Sequence, residues 1–154
     1  MGTMLENRLQ LVRYYLFKKG ISMSELSRRC EHKLSRGGVG YRLRAGDCSL
    51  ADMADMAQAA GYRFEWHWED VGPVEPSKRA VRPMTKFNSK LLRPVLGYLF
   101  EKNITIPDFA RRCGVSPEGM AFRLREGVCM MSQMEEMAAA VGYRFVWSWE
   151  DMGH

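Results

Sequence analysis

Apolar residues recur at helical spacing from the start of the chain. Leu5, Leu9, Val12 and Leu16 share one face and predict a first helix from Met4 to Lys19. Leu92, Val95 and Leu99 predict a second such helix from Lys90 to Lys102, with Gly20 and Asn103 as the respective stops. Ser22-x-x-Glu25 and Thr105-x-x-Asp108 read as capping boxes, or near-boxes, for a short following helix that turns Leu26 and Cys30, or Phe109 and Cys113, inward. Gly114-Val115-Ser116 then predicts a left-handed turn, an inward valine and a cap. The capped helix runs from Pro117 to Arg125, with proline at the first position, where its missing N–H is harmless. Met120 and Leu124 point inward and Gly127 ends it; a fourth helix follows from Ser132 to Val141 through Met134 and Met137. The first half repeats this order, with Ser35 as cap, Val39 and Leu43 inward, Gly46 as stop, then Leu50, Met53 and Met56.

The period then changes from helical to two. Tyr62, Phe64, Trp66 and Trp68 alternate with Arg63, Glu65 and His67, and Tyr143, Phe145, Trp147 and Trp149 alternate with Arg144, Val146 and Ser148. Such alternation predicts a half-buried strand. The two strands hold eight of the chain's 17 aromatic residues and all four tryptophans. A lone strand leaves its backbone groups unpaired. The expected solution is that the two strands pair with each other, antiparallel, with the helices covering the aromatic face. Strand pairing between two copies of the chain is the competing arrangement.

The same elements occur twice because the chain is a tandem repeat. Leu9–Cys30 aligns with Leu92–Cys113 at an offset of 83, and Arg42–Asp70 with Arg123–Asp151 at an offset of 81. The first copy therefore carries two extra residues between the blocks. The divisions are residues 4–71, a linker at 72–87 and residues 88–151. The stretch around the linker, residues 71–90, holds three of the six prolines and reads as extended.

Charge singles out the linker. The 154-residue chain carries a net charge of +5, and from Gly72 to Lys90 the basic Lys78, Arg79, Arg82, Lys86 and Lys90 stand against Glu75 alone. It reads as a solvated tether or as an arm lying along DNA. Cys30, Cys48, Cys113 and Cys129 form no Cys-x-x-Cys pair, and His32, His67 and His154 add no metal-ligand spacing, so four small reduced thiols are expected. No apolar run approaches the ~20 residues of a membrane span, and the start lacks a signal-peptide pattern. A soluble, cytoplasmic protein follows as the expectation. No phosphate loop, Cys/His pair or carboxylate pair with a clear role is present, so neither an enzyme nor a cofactor is expected.

The segment from Ile104 to Gly127, ITIPDFARRCGVSPEGMAFRLREG, resembles the helix-turn-helix of phage-repressor (Cro/cI, or XRE-type) DNA-binding domains. Ala110 inside the second helix, Gly114-Val115 at the turn, Ser116 as cap, Met120 inward and a basic helix end before Gly127 carry the likeness, which extends to both copies. A strand after the helices is similar to XRE-type antitoxins and mobile-element regulators. The resemblance implies a mainly α fold of two tandem lambda-repressor-like domains, each ending in a β-strand. Tyr62, Phe64, Trp66, Trp68, Tyr143, Phe145, Trp147 and Trp149 would then form the interface between repeats.

In that family the third helix enters the major groove. Carried over, the DNA-facing residues are Arg36, Gly37, Gly40, Tyr41 and Arg44 in the first copy, and Ser116, Pro117, Glu118, Ala121, Phe122 and Arg125 in the second. Arg44 and Arg125 would meet guanine or phosphate, and Arg28, Arg29, Arg111 and Arg112 would reach phosphates from the second helix. Arg42, Arg44, Arg123 and Arg125 read alternatively as a solvated helix face. The methionines read as core or as an adaptable binding groove, and the tryptophans as core or as a ligand cage.

Several positions depart from the family pattern. Met23 and Ile106 stand where a polar residue commonly clamps a phosphate, Glu31-His32-Lys33-Leu34 replaces the turn glycine, and Gly37, Gly38 and Gly40 weaken the first copy's third helix. Loss of DNA binding by one or both copies therefore stays open. The expected function is a repressor-like transcriptional regulator of a phage or mobile element, a monomeric pseudo-dimer or a homodimer on double-stranded DNA. Its recognition helices would lie ~34 Å apart on an imperfect palindrome. The alternative is a protein-interaction module, an antitoxin or a phage-encoded inhibitor of a host nuclease, with Met23, Ile106 and Phe122 as apolar contacts.

Overall fold

The computed structural model describes residues 8–30, 39–82 and 90–153. Among them the elements run α1 (Gln10–Lys19), α2 (Met23–Arg29), α3 (Val39–Ala45), α4 (Leu50–Ala59), β1 (Tyr62–Asp70), α5 (Arg93–Lys102), α6 (Ile106–Cys113), α7 (Pro117–Glu126), α8 (Met131–Ala140) and β2 (Tyr143–Asp151). None of these helices is long and apolar enough to cross a membrane.

The stops and caps follow the local chemistry. Gly20 (φ 66°) and Asn103 (φ 54°) end α1 and α5 in the left-handed conformation. Ser22 Oγ accepts from Glu25 N at 3.1 Å, Thr105 Oγ1 from Asp108 N at 3.3 Å, and Ser116 Oγ from Gly119 N at 2.9 Å. The expected reciprocal half of the first two capping boxes is absent, because Glu25 and Asp108 turn to the arginines one turn on. The fifth helix begins at Arg93 and not Lys90: Pro94 sits in its first turn, where it sacrifices no intrahelical bond. The expected start of the first helix, at Met4, and the cap Ser35 lie outside the described residues.

The chain divides into two compact units. One is Met1–Glu65 with Ser148–His154, and the other is Trp66–Trp147. Each strand is thus shared: β1 begins in the first unit and ends in the second, and β2 does the reverse. The expected antiparallel pairing is found, as a two-stranded sheet β1–β2. Val71 N donates to Gly142 O at 2.9 Å and Met152 N to Gly61 O at 3.1 Å, framing a register that sets Glu69 opposite Arg144, where the two form an ion pair.

In the first unit α2 packs on α3 and α4, burying Leu26, Val39, Leu43, Met53 and Met56 with Val12 and Leu16 of α1. The strand ends close this core. Tyr15 of α1 stacks on Trp149 at 5.5 Å and meets Tyr62 at 5.2 Å, and Tyr62 Oη donates to Tyr15 O at 2.8 Å. Lys19 Nζ lies 4.8 Å over the Tyr62 ring and 2.8 Å from Asp151.

The second unit repeats the pattern with the other strand end. Here α6 packs on α7 and α8 over Phe109, Met120, Leu124, Met134 and Met137. Tyr98 of α5 stacks on Trp68 at 5.3 Å and meets Tyr143 at 5.0 Å, Tyr143 Oη donates to Tyr98 O, and Lys102 Nζ lies 4.7 Å over the Tyr143 ring and 2.8 Å from Asp70. The helices of each repeat are therefore completed by a tryptophan from the other repeat's strand.

Not all eight strand aromatics are covered equally. Tyr62, Trp68, Tyr143 and Trp149 are buried, whereas Phe64, Trp66, Phe145 and Trp147 are half-buried. The rings of α1 and α5 engage chiefly the strand ends, so the middle keeps more solvent contact. The five methionines just named, like Met131, are core residues, as one of the two sequence readings expects.

Candidate nucleic-acid interface

In the first unit α3 turns Val39, Arg42 and Leu43 inward, which leaves Gly40, Tyr41 and Arg44 on the outer side. Tyr41 and Arg44 are exposed. A Cβ at Gly40 would lie 3.2 Å from Arg44 Nη1, so the glycine makes room for the guanidinium folded back along the helix. Arg36 and Gly37, assigned to the same face, lie outside the described residues.

Arg42 corrects the idea of a solvated arginine face. It is 4% exposed, and its Nε and Nη2 lie 3.0 and 2.9 Å from Asp52 Oδ2 on α4. A buried charge is tolerable only when paired and hydrogen-bonded. Arg42 thus ties α3 to α4 and is unavailable to a ligand. At the matching position of the second unit, Arg123 Nη1 approaches Met137 Sδ at 3.6 Å, and Gln133, the counterpart of Asp52, accepts from Met130 N at 2.9 Å.

In the second unit Ser116, Pro117, Glu118, Phe122 and Arg125 are exposed on α7 and Ala121 is half-buried, opposite the buried Met120 and Leu124. Arg125 Nε donates to Glu126 Oε2 at 3.2 Å. The two outer faces differ in charge: Arg44 stands with Tyr41, whereas Arg125 shares its helix face with Glu118.

The arginines that end α2 and α6 are held by acids of their own helices. Arg28 and Arg29 both pair with Glu25, and Arg29 Nη1 also donates to Ala59 O at 3.0 Å. Arg111 and Arg112 both pair with Asp108, and Arg112 additionally reaches Glu75 O. These bonds, with one from Ser77, hold the Asp108 carboxyl well below the usual range, the Arg112 contact contributing most. Arg28 and Arg111 remain exposed, while Arg112 is mostly covered.

The described part of the linker is not a free tether. Ser77 N donates to Asn103 O at 2.8 Å, Val81 N to Asn103 Oδ1 at 3.1 Å, and Asn103 Nδ2 to the carbonyls of Ser77 and Arg79. Ser77 Oγ donates to Asp108 Oδ2 at 2.6 Å and accepts from Thr105 N. Lys102 Nζ reaches Gly72 O at 2.6 Å. Gly142 (φ 81°) allows the close approach, since a Cβ there would lie 2.5 Å from Gly72 O. The strap thereby sits on the α5–α6 corner of its own unit.

Sequence reading missed this network. Its one signal was Asn103 standing where the first repeat has Gly20, a left-handed residue that also brings an amide. It also missed the burial of Arg42, whose signal was an acid ten residues downstream.

The four cysteines are free; three are buried and Cys113 is half-buried. Burial pushes the Cys48 thiol up to about 12, with Asp52 and Asp47 adding to it, and the Cys113 thiol to about 11. Such thiols are almost wholly protonated near neutrality and make poor nucleophiles. His67 is exposed, 3.3 Å from Glu69. Compared with known protein families, curated proteins and solved structures, the chain matches none.

Proposed function

We propose that the chain is a sequence-specific, DNA-binding transcriptional regulator of repressor type, acting in the cytoplasm for a phage or mobile element. In this reading α2–α3 and α6–α7 are two tandem lambda-repressor-like helix-turn-helix motifs, and the fused repeats serve as a pseudo-dimer on two unequal half-sites. The observation that supports it best is the recurrence of Arg44 and Arg125 at the same exposed position near the ends of α3 and α7. Both are free of the buried pairing that removes Arg42, and a guanidinium there suits guanine or phosphate.

The test is a titration against random and genomic DNA fragments, with and without the Arg44→Glu/Arg125→Glu double substitution. Binding that weakens steeply with salt and disappears in the double variant supports the regulator. Enrichment of fragments carrying an imperfect palindrome supports the pseudo-dimer.

A second reading has its own observation. Tyr41 is 60% and Phe122 51% exposed, and α7 adds Glu118 to that face. Exposed aromatics beside an acid suit a protein partner better than a phosphate backbone. Met23 and Ile106, which the same reading uses, are half-buried. Absence of any DNA binding at low salt, with a nuclease or toxin captured instead, favours this antitoxin-like or inhibitor-like module.

A further inference from the structure

We propose that Arg79 and Arg82, carried by the strap on the α5–α6 corner, form a contact for the phosphate backbone of double-stranded DNA, and that Asn103 is the residue that positions it. The inference rests on the DNA-binding reading and adds a contact outside the two helix pairs.

Residues 75–82 have no helical or strand periodicity and, alone in solution, are a flexible basic tether. A tether of this kind surrenders its conformational freedom when it settles on a ligand. Here that ordering is done beforehand. Asn103 holds three strap groups through its side chain: it donates from Nδ2 to Ser77 O at 3.1 Å and Arg79 O at 3.2 Å, and accepts from Val81 N at 3.1 Å. Ser77 adds bonds to Asp108, Thr105 and the Asn103 backbone. A non-glycine residue with positive φ is uncommon, and Asn103 is such a residue among those described. The first repeat places Gly20 there, which offers the turn without the three bonds.

The arginines on this strap have no acid partner among the described residues. Arg79 and Arg82 are exposed, and neither makes an ion pair among the described residues. They share the wall of a groove of about 1480 Å³ with Ile106, Asp108 and Arg111 of α6. The one carboxylate in that wall, Asp108, is already engaged by Arg111, Arg112 and Ser77. Two exposed arginines, on a strap whose backbone is held at Arg79 O and Val81 N, stand beside the exposed Arg111 with the nearby Asp108 already paired, and such guanidinium groups suit phosphate oxygens.

The experiment measures binding of the full chain to a fluorescein-labelled, random-sequence duplex over a series of NaCl concentrations. Each phosphate contact contributes about 0.9 to the slope of log K against log salt. Arg79→Gln/Arg82→Gln is expected to lower the slope by about 1.8. Asn103→Gly keeps the left-handed turn and both arginines but deletes the three side-chain bonds, and is expected to weaken binding and lower the slope as well. A residue that only supported the fold would change the melting temperature and leave the slope unchanged. Wild-type binding with an unaltered slope in both variants overturns the strap contact and leaves the regulator reading intact. A wild-type chain that binds no duplex at any salt concentration overturns both, and an acidic protein surface then becomes the partner of these arginines.

Discussion

Tyr15 and Trp149 stack with ring centroids 5.5 Å apart and planes 18° from parallel, although 134 positions separate them in the chain. Tyr98 and Trp68 repeat the relationship at 5.3 Å and 24°. In both cases the tyrosine comes from the first helix of one repeat and the tryptophan from the strand of the other. Each strand therefore closes the core built by its neighbour's helices.

This exchange predicts where damage will appear. Trp149→Ala should cost about 3–5 kcal/mol, the usual penalty for emptying a buried aromatic site. The loss should register as faster amide exchange in α1, within the first repeat, although the substitution lies in the second. Trp68→Ala should do the same to α5. A substitution whose effect stays within its own repeat would contradict the exchanged packing. Chemical denaturation and hydrogen exchange measure the two parts.

The Arg42–Asp52 pair makes a second prediction. Removing one partner leaves the other charge buried and alone, at a cost of about 3–5 kcal/mol. Arg42→Ala and Asp52→Ala should each approach that loss in urea denaturation. Arg42→Met/Asp52→Leu should recover most of it, because no orphaned charge remains. The matching change Arg123→Ala should cost clearly less, since the uncharged Gln133 stands at the position of Asp52 and the contact given for the Arg123 guanidinium is Met137 Sδ.

Acid should release the strap. The folded Asp108 carboxyl titrates below the ordinary unfolded value of about 3.9, so its contribution to stability is fully present above that value. It is lost as pH falls through the depressed folded value. Protection of the Ser77 and Thr105 amides, taken relative to intrinsic exchange, should therefore begin to fall below about pH 4 and go on falling toward the depressed folded value. Asp108→Asn should be less stable than wild type at neutral pH and should show a flatter stability profile in acid. Asp70 and Asp151, each bonded to a lysine, are shifted in the same sense.

Thiol chemistry offers a simple check of burial. With Cys48 raised to about 12 and Cys113 to about 11, neither supplies appreciable thiolate near neutrality. A chromogenic disulfide reagent should label the native chain slowly at pH 7.5, with Cys113 first because it is the least covered. Denaturant should expose all four to rapid reaction. Rapid native labelling of Cys48 would show that the α3–α4 region opens readily.

The elements themselves were largely legible. Gly20, Asn103, Gly114 and Gly127 end helices because left-handed backbone is cheap for glycine and tolerated by asparagine. Ser22, Thr105 and Ser116 start helices because a hydroxyl satisfies an N–H that no carbonyl can reach. Alternation from Tyr62 to Trp68 and from Tyr143 to Trp149 predicted two strands, and the need to pair their backbones predicted the sheet. On α7 the expected inward Met120 and Leu124 are buried, and Pro117, Glu118, Phe122 and Arg125, which the resemblance placed outward, are exposed.

Long-range choices were not legible, because they depend on which groups meet when distant segments fold together. Arg42 and Arg44 are two positions apart in one helix and chemically identical, yet one is buried on Asp52 and the other faces water. A basic, proline-bearing stretch reads as a tether until Asn103 and Ser77 supply partners for its backbone. Local pattern determined the repeat, the helices, the caps and the two aromatic strands, because these depend on neighbours within a few residues. Tertiary structure alone decided which tryptophan closes which core, which arginine stays free and where the linker lies. Those outcomes follow from packing and from the demand that every buried charge and backbone group find a partner.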